Sequence, residues 1–184
     1  MTQVLLVRHP PVARAWTGRC YGRSDMGWSR EGAVLARTLA CQLADESIAY
    51  VVHSGALRTR RLAAIIGGEA HEDPRWLERD FGSWEGRRWD AIWRESGALM
   101  DRMMTHPHDF RPGGGETGAE LSARARAAWA ALPTGGDTLV IAHGGPIAAV
   151  RTWLAGRPLE RMIEAVPRCG EIVRLPRHAS ADDA

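Results

Sequence analysis

The sequence predicts an α/β fold, a three-layer sandwich of helices around a mostly parallel central sheet. Short apolar runs at residues 4–7, 48–52 and 138–142 have the pattern of strands buried on both faces. Helical patterns lie between them, and alternating strands and helices are typical of parallel sheets. A chain of 184 residues is long enough for one compact domain, so we expect a single domain over residues 1–184.

Two helices are expected in the first half of the chain. Ser29 is placed to cap the first of them, with Glu31 in its first turn. Its apolar face is formed by Leu35, Leu39 and Leu43. The second helix follows the strand at 48–52 and ends at Gly67. Its buried side is predicted to carry Leu62, Ile65 and Ile66.

A third helical pattern runs between Gly86 and the break at Pro107. It predicts one helix, within a helical cover spanning about residues 86–110. The residues at helical spacing are Trp89, Ile92, Trp93, Met100 and Met103.

The second half of the chain begins with Thr117 and Glu120, which have the spacing of a capping box and predict a helix over 118–132. The strand at 138–142 follows, and Pro146 is well placed in the first turn of another helix. Residues 171–175 predict a final strand.

Composition limits the function classes. The net charge is only +2, which gives no general attraction to nucleic acid or to a membrane surface. No apolar run approaches the ~20 residues that cross a bilayer, and no signal peptide is visible. The three cysteines are widely spaced and form no disulfide framework or metal knuckle. We therefore expect a soluble, cytoplasmic protein.

Reactive side chains follow three of the predicted strands. They are Arg8-His9, Ser54 with Arg58 four residues later, and His143-Gly144. Ligands of parallel α/β sheets bind at the carboxyl ends of strands, so we expect these groups to meet at one edge. An isolated Arg-His pair is more often a surface feature. A functional site is favoured here because all three groups of residues follow the end of a predicted strand.

These residue types suit chemistry on a phosphate monoester. Arginine keeps its charge and its planar fork matches phosphate oxygens, which favours Arg8 and Arg58 as a clamp. A neutral imidazole attacks phosphorus without a separate base, a role that fits His9. His143 is expected to donate to the phosphoryl group, and the amides of Gly144 and the residue after it to offer N–H groups to an anion.

A proton donor for the leaving group is also needed. Glu78 is our candidate, with Asp80 and Glu85 as close competitors and structural ion pairing as the alternative explanation. Other polar runs are interpreted structurally. The segment from His106 to Asp109 is expected to be a loop, not a metal site, and Arg60 and Arg61 a solvated surface.

Together these blocks resemble the histidine phosphatase superfamily, whose fold is that of the phosphoglycerate mutases. The blocks that carry the resemblance are Leu6-Val7-Arg8-His9, Ser54 with Arg58, Glu78 to Gly82, Gly115-Glu116-Thr117 and Ala142-His143-Gly144. The resemblance implies that His9 is phosphorylated, that Arg8, Arg58 and His143 bind the phosphoryl group, and that Glu78 is the proton donor. It also implies a reaction without metal or cofactor.

Residues 18–25 are similar to a segment of the α-ribazole phosphatases, which act in cobalamin nucleotide-loop assembly. Tyr21 and Arg23 in this segment are expected to bind substrate. The superfamily pattern often has Gly after the nucleophile, whereas this chain has Pro10, which removes one N–H. This departure favours a ribazole phosphatase over a phosphoglycerate mutase.

The expected partner is therefore a small-molecule phosphomonoester, and the sequence specifies no oligomeric state. Three alternatives stay open: a broad-specificity small-molecule phosphatase, a phosphoglycerate mutase-like phosphotransferase, and a pseudo-phosphatase module that senses phosphate without turnover.

Overall fold

The computed structural model describes residues 2–177 and places five strands in one sheet. The strands are β1 (Gln3–Arg8), β2 (Ile48–His53), β3 (Ala70–Glu72), β4 (Asp137–Ala142) and β5 (Ile172–Pro176). Their order is β3-β2-β4-β1-β5, and the first four are parallel while β5 pairs antiparallel with β1. The fold is therefore the mixed α/β fold with a mostly parallel sheet that the sequence predicted.

Six α-helices surround this sheet within the described residues. They are α1 (Arg30–Leu43), α2 (Leu57–Ile66), α3 (Trp89–Ser96), α4 (Arg102–Thr105), α5 (Gly118–Ala130) and α6 (Gly144–Leu154). None of those helices combines the length and the apolar character that crossing a bilayer requires.

Two cores cover the two faces of the sheet because successive strand side chains point to opposite faces. Leu5 and Val7 of β1 pack with α1 and α2 on one face. Val4 and Leu6 pack with α5 and α6 on the other. Helix, sheet and helix thus form the three predicted layers.

Local signals fix several helix ends where they were predicted. The Ser29 hydroxyl accepts a hydrogen bond from the amide of Gly32 at 3.0 Å, which caps α1. Both bonds of the Thr117–Glu120 capping box are present at α5. Helix α2 ends at Gly67, whose φ of +88° is a conformation that glycine adopts without a steric penalty.

The predicted single helix of the cover is wrong, although the cover itself exists. Helix α3 ends at Gly97, where φ is +48°, and a 3₁₀ turn over Gly97–Asp101 leads into the short α4. Because the chain changes direction there, Met103 lies on a separate segment from Trp89. Both still pack on one cluster, but Trp93 is half exposed rather than buried.

Helix α2 also differs from the prediction in one side chain. Leu62 is fully buried and Ile66 packs against the same core, whereas Ile65 is 44% exposed. The helix has only ten residues and lies on the sheet along a narrow stripe, so Ile65 is left at its outer edge.

Replacement of Thr117 with alanine should lower the free energy of unfolding by about 1 kcal/mol, since the variant loses the cap of α5. Urea unfolding of the purified protein measures this difference. Ser122→Ala, in the same helix but outside the capping box, is the matched control and should have a smaller effect. Equal losses in both variants would show that the capping box contributes nothing specific.

Candidate active site

The parallel pairing of β1 with β4 brings two histidines together. Arg8 lies opposite Ala142, and the amide of His9 donates to the Ala142 carbonyl at 3.0 Å. His9 and His143 each follow their strand by one residue, and their ring centroids are 5.1 Å apart. Ser54, which follows β2, places its hydroxyl 2.7 Å from Nε2 of His143. Three strand ends therefore meet at one edge, as predicted.

His9 is held as a neutral ring with a defined tautomer. Its Nδ1 lies 2.8 Å from the Pro10 carbonyl, which only accepts, so Nδ1 carries the hydrogen and Nε2 of the neutral ring has the lone pair. Burial of the ring and the nearby charges of Arg58 and Arg8 lower the pKa of His9 to about 3. The lone pair of Nε2 is therefore available at neutral pH. This contact needs only the carbonyl of Pro10, so the missing proline N–H does not affect it.

His143 is fully buried and is also neutral, because burial and the charge of Arg58 lower its pKa well below the usual value. Its Nε2 contacts Ser54, whose hydroxyl also lies 2.9 Å from that of Thr59. The Thr59 hydroxyl donates its hydrogen to the Ala56 carbonyl at 2.9 Å, so Ser54 donates to Thr59 and accepts from Nε2 of His143. Nδ1 of the neutral His143 ring becomes a donor only when Ser54 turns its hydrogen to Nε2 instead. Sequence reasoning missed Thr59, which has no motif of its own.

Backbone carbonyl groups hold the guanidinium groups of the two arginines that were predicted to bind phosphate. Nη1 of Arg8 donates to the Pro167 carbonyl at 2.7 Å. The guanidinium of Arg58 donates to the carbonyls of Gly22 and Ser24 at 2.7 and 2.8 Å. These bonds fix the direction of both planar groups before any ligand binds.

Six buried side-chain polar atoms have no hydrogen-bond partner within residues 2–177, and three of them are nitrogens of the predicted site. These three are Nε of Arg8, Nε of Arg58 and Nδ1 of His143. An unpaired buried donor costs free energy, so such groups in a folded protein call for a physical explanation. Both arginine charges act on the ring of His9, and the ring of His143 lies 5.1 Å from it, so the three nitrogens belong to side chains that lie near the same ring. A group bound there would need to accept several hydrogen bonds and carry negative charge.

Glu85 holds the loop that anchors Arg58. Its carboxylate accepts from the amides of Gly22, Arg23 and Ser24 and from the Ser24 hydroxyl. Burial by itself would raise the pKa of Glu85, but these hydrogen bonds outweigh it and lower the pKa. Because these hydrogen bonds keep the Glu85 carboxylate ionised and bound to the loop, Glu85 has a structural role and is a poor candidate for the proton donor.

Of the three proton-donor candidates, Glu78 is the one that lies in the open cleft. It lines the cleft together with Arg8, and both of its oxygens accept from the amide of Gly145 at 3.1 Å. The predicted anion-binding amide at the start of α6 is thus already used by a side chain of this protein. Asp80 instead accepts from the amide of Gly82 at 2.7 Å, within its own turn.

Comparison with known proteins agrees with this geometry. The sequence profile of the histidine phosphatase superfamily (branch 1) matches residues 4–178. The chain belongs to this superfamily. A relative named probable phosphoglycerate mutase GpmB, from Serratia proteamaculans, is 32% identical over 165 residues, which cover 86% of this chain and 77% of that protein. The histidine phosphatase described here is accordingly an enzyme of a family with both phosphatases and mutases.

Solved structures share its fold at lower identity. The α-ribazole phosphatase of Shigella flexneri superimposes with a TM-score of 0.85 at 22% identity, covering 96% of this chain and 91% of that one. A mycobacterial glucosyl-3-phosphoglycerate phosphatase gives a TM-score of 0.84 at 21% identity, covering 94% and 89%. Both likenesses show the phosphoglycerate mutase-like fold.

The remaining predicted binding residues of this histidine phosphatase lie at different distances from the two histidines. The centroid of the Tyr21 ring lies 5.7 Å from the guanidinium carbon of Arg58. Gly144 packs so tightly that a Cβ atom there would lie 3.3 Å from the Arg8 guanidinium carbon. Arg23 is exposed and lines a separate shallow polar pocket with Asp80, so its role in substrate binding stays a prediction.

The depressed pKa of His9 predicts a specific dependence of stability on pH. Above pH 6.5 the ring is neutral in both the folded and the unfolded chain. As the pH falls toward 3, only the unfolded chain binds the proton, so the free energy of unfolding decreases. Between pH 7 and 5 the contribution of His9 should fall by about 2 kcal/mol.

Urea unfolding of the wild type and of His9→Gln at pH 7, 6 and 5 measures this contribution. The wild type should lose stability relative to the variant as the pH falls. Parallel curves would mean that folded His9 titrates near its ordinary pKa.

Removal of the Glu85 carboxylate should release the loop that it holds. In Glu85→Ala, amide hydrogen exchange at residues 22–24 is expected to accelerate at least tenfold, and the free energy of unfolding to fall by roughly 2 kcal/mol. Glu31→Ala, which removes an exposed pair with Arg14, is the matched control and should change neither quantity by a comparable amount. Unchanged exchange in the first variant would refute the anchoring role.

Proposed function

We propose that this enzyme hydrolyses phosphomonoesters through a phosphohistidine formed on His9. The observation that carries the proposal is a neutral, buried His9 near Nε of Arg8 and Nε of Arg58, two buried donors without a partner among residues 2–177. A phosphoryl group supplies both the negative charge and the acceptor oxygens that those donors need. Arg8, Arg58 and His143 would hold it throughout the reaction.

In the first half of the reaction, Nε2 of His9 attacks phosphorus in line with the ester oxygen. The P–O bond breaks, its electron pair stays on the leaving oxygen, and Glu78 donates a proton to that oxygen. The Nδ1 hydrogen remains bonded to the Pro10 carbonyl, which stabilises the positive charge that develops on the ring. The leaving alcohol departs neutral.

In the second half, a water molecule attacks the phosphohistidine. Glu78, now ionised, takes one proton from this water, and the P–N bond breaks with its electron pair returning to Nε2 of His9. Inorganic phosphate leaves, and His9 regains the tautomer that its contact with Pro10 favours. Each residue ends the cycle in its starting protonation state.

We propose α-ribazole 5′-phosphate as the natural substrate, in cobalamin nucleotide-loop assembly. Residues 18–25 resemble the corresponding segment of α-ribazole phosphatases, and Tyr21 of this segment lies beside the clamp arginine Arg58. The fold likeness to the Shigella flexneri enzyme is compatible with this substrate.

We further propose that residues 1–184 act as one cytoplasmic domain on a small phosphomonoester, without metal, cofactor or nucleic acid. Support for the compartment comes from Cys20, Cys41 and Cys169, all of which carry free thiols in the structure. Free cysteines are typical of proteins in a reducing compartment.

Phosphate release from α-ribazole 5′-phosphate in the presence of a chelator tests both levels of the proposal. We expect the wild type to prefer this ester over generic phosphomonoesters and His9→Ala to lose at least 10³-fold in kcat. Circular dichroism of the variant controls for folding. Activity on generic esters alone would refute the ribazole assignment and keep the mechanism, whereas turnover without His9 would refute the mechanism.

A phosphoglycerate mutase-like transfer is the second candidate, favoured by the 32% identity to a probable phosphoglycerate mutase. Such an enzyme would return the phosphoryl group from His9 to a second position of the substrate. Robust interconversion of 3-phosphoglycerate without net phosphate release would favour it over hydrolysis.

A further inference from the structure

Beside the phosphoryl-binding residues lies a cavity of about 430 Å³ that the reaction steps above do not use. Arg8, Glu78 and Gly144 form its inner wall. Its volume lies within the range typical of sites for small organic ligands. Since Glu78 protonates the leaving oxygen in the proposed reaction, the rest of the leaving alcohol would extend into this cavity.

The remaining wall is mostly apolar and comes from three parts of the chain. They are the helical cover with the turn before it, Leu121 of α5, and residues 159–166, which include the 3₁₀ turn over Leu159–Ala165. The apolar side chains include Phe81, Trp89, Met103, Leu121, Met162 and Val166. At the mouth, Ile163 is 57% exposed and Met104 is 40% exposed. Exposed apolar side chains grouped at a cleft are typical of ligand-binding surfaces.

The charges on this wall disfavour an acidic ligand. Besides Arg8, the only arginine that lines the cavity within the described residues is Arg79. Arg79 is 5% exposed, and its guanidinium donates to the carbonyls of Glu116 and Phe110, away from the cavity. The chain contains no lysine that could replace it.

Two carboxyl groups, those of Glu78 and Glu160, line the same space. Because Glu78 is protonated when the ester binds in the proposed reaction, a carboxylate of the ligand would lose water and face the charge of Glu160. Its nearest cation in the lining is Arg8, which the phosphoryl group occupies.

We propose that this cavity binds the leaving group of the substrate and selects phosphomonoesters of uncharged alcohols with a flat aromatic or bulky apolar part. This inference rests on the proposed phosphatase function. The cavity rejects esters that carry a carboxylate, including phosphoglycerates, although phosphoglycerate appears in the names of relatives. Methionines at 103, 104 and 162 suit an aromatic ring because their flexible, polarisable side chains adapt to it.

A series of alkyl phosphates separates leaving-group recognition from chemical reactivity. The series is 2-(2-naphthyl)ethyl phosphate, ethyl phosphate, glycerol 3-phosphate and 3-phosphoglycerate, all with alkoxide leaving groups. kcat/KM is the quantity to compare, because it reports the steps up to transfer onto His9 even when hydrolysis limits kcat. We expect the naphthyl ester to exceed ethyl phosphate by 10- to 100-fold and 3-phosphoglycerate to be the poorest substrate.

Met162 offers a matched pair of variants outside the proposed catalytic residues. Met162→Leu keeps an apolar wall and should retain the preference within about threefold. Met162→Lys places a cation in the cavity and should raise the ratio of kcat/KM for 3-phosphoglycerate to that for the naphthyl ester at least tenfold. Thermal unfolding of both variants checks that they are folded.

Labelling of His9 with ³²P from each ester distinguishes the two ways in which the idea could fail. Labelling and turnover without a preference for the naphthyl ester, or with a preference for 3-phosphoglycerate in the wild type, would refute the leaving-group cavity and keep the phosphatase function. Absence of labelling from every ester would refute the phosphatase function itself.

Discussion

Strands β1 and β4 pair in parallel with Arg8 opposite Ala142. The residue directly after each strand is a histidine, so the two histidines lie side by side. All later features of the site depend on this register. A shift by one residue would turn Arg8 and the apolar side chains of β1 to the opposite faces, which a sheet buried on both sides does not tolerate. The two cores therefore fix the register, and the register fixes the 5.1 Å separation of the histidine rings.

Around this pair the protein uses its own backbone to orient charged groups before a ligand binds. Carbonyls of Pro10 and Pro167 and of the loop at residues 22–24 hold His9, Arg8 and Arg58 in place. The loop is in turn held by Glu85. Orientation of this kind avoids reorganisation during the reaction, which is the usual source of electrostatic stabilisation in enzymes.

The cleft combines two different environments within a short distance. The arginine donors proposed to bind the phosphoryl group are buried and positively charged, whereas the adjoining cavity is mostly apolar and has carboxyl groups on its wall. An ester with a dianionic head and an uncharged, bulky tail matches both environments, and a ligand acidic at both ends matches only the first. In the proposed reaction, recognition of the phosphoryl group and selection of the leaving group would therefore depend on separate, neighbouring surfaces.

Local patterns in the sequence predicted four of the five described strands, the caps at Ser29 and Thr117, and the strand-end positions of His9 and His143, because each depends on residues near in sequence. The short edge strand β3 has no such pattern and was missed. Tertiary structure decided what depends on distant residues. It placed Glu78 in the cleft, whereas the carboxylate of Glu85 accepts hydrogen bonds from a loop more than 60 residues away in sequence. It also broke the cover at Gly97, since an apolar repeat does not reveal where a glycine will turn the chain. Burial and hydrogen-bond partners, which only the folded chain supplies, assigned these carboxylates to different environments.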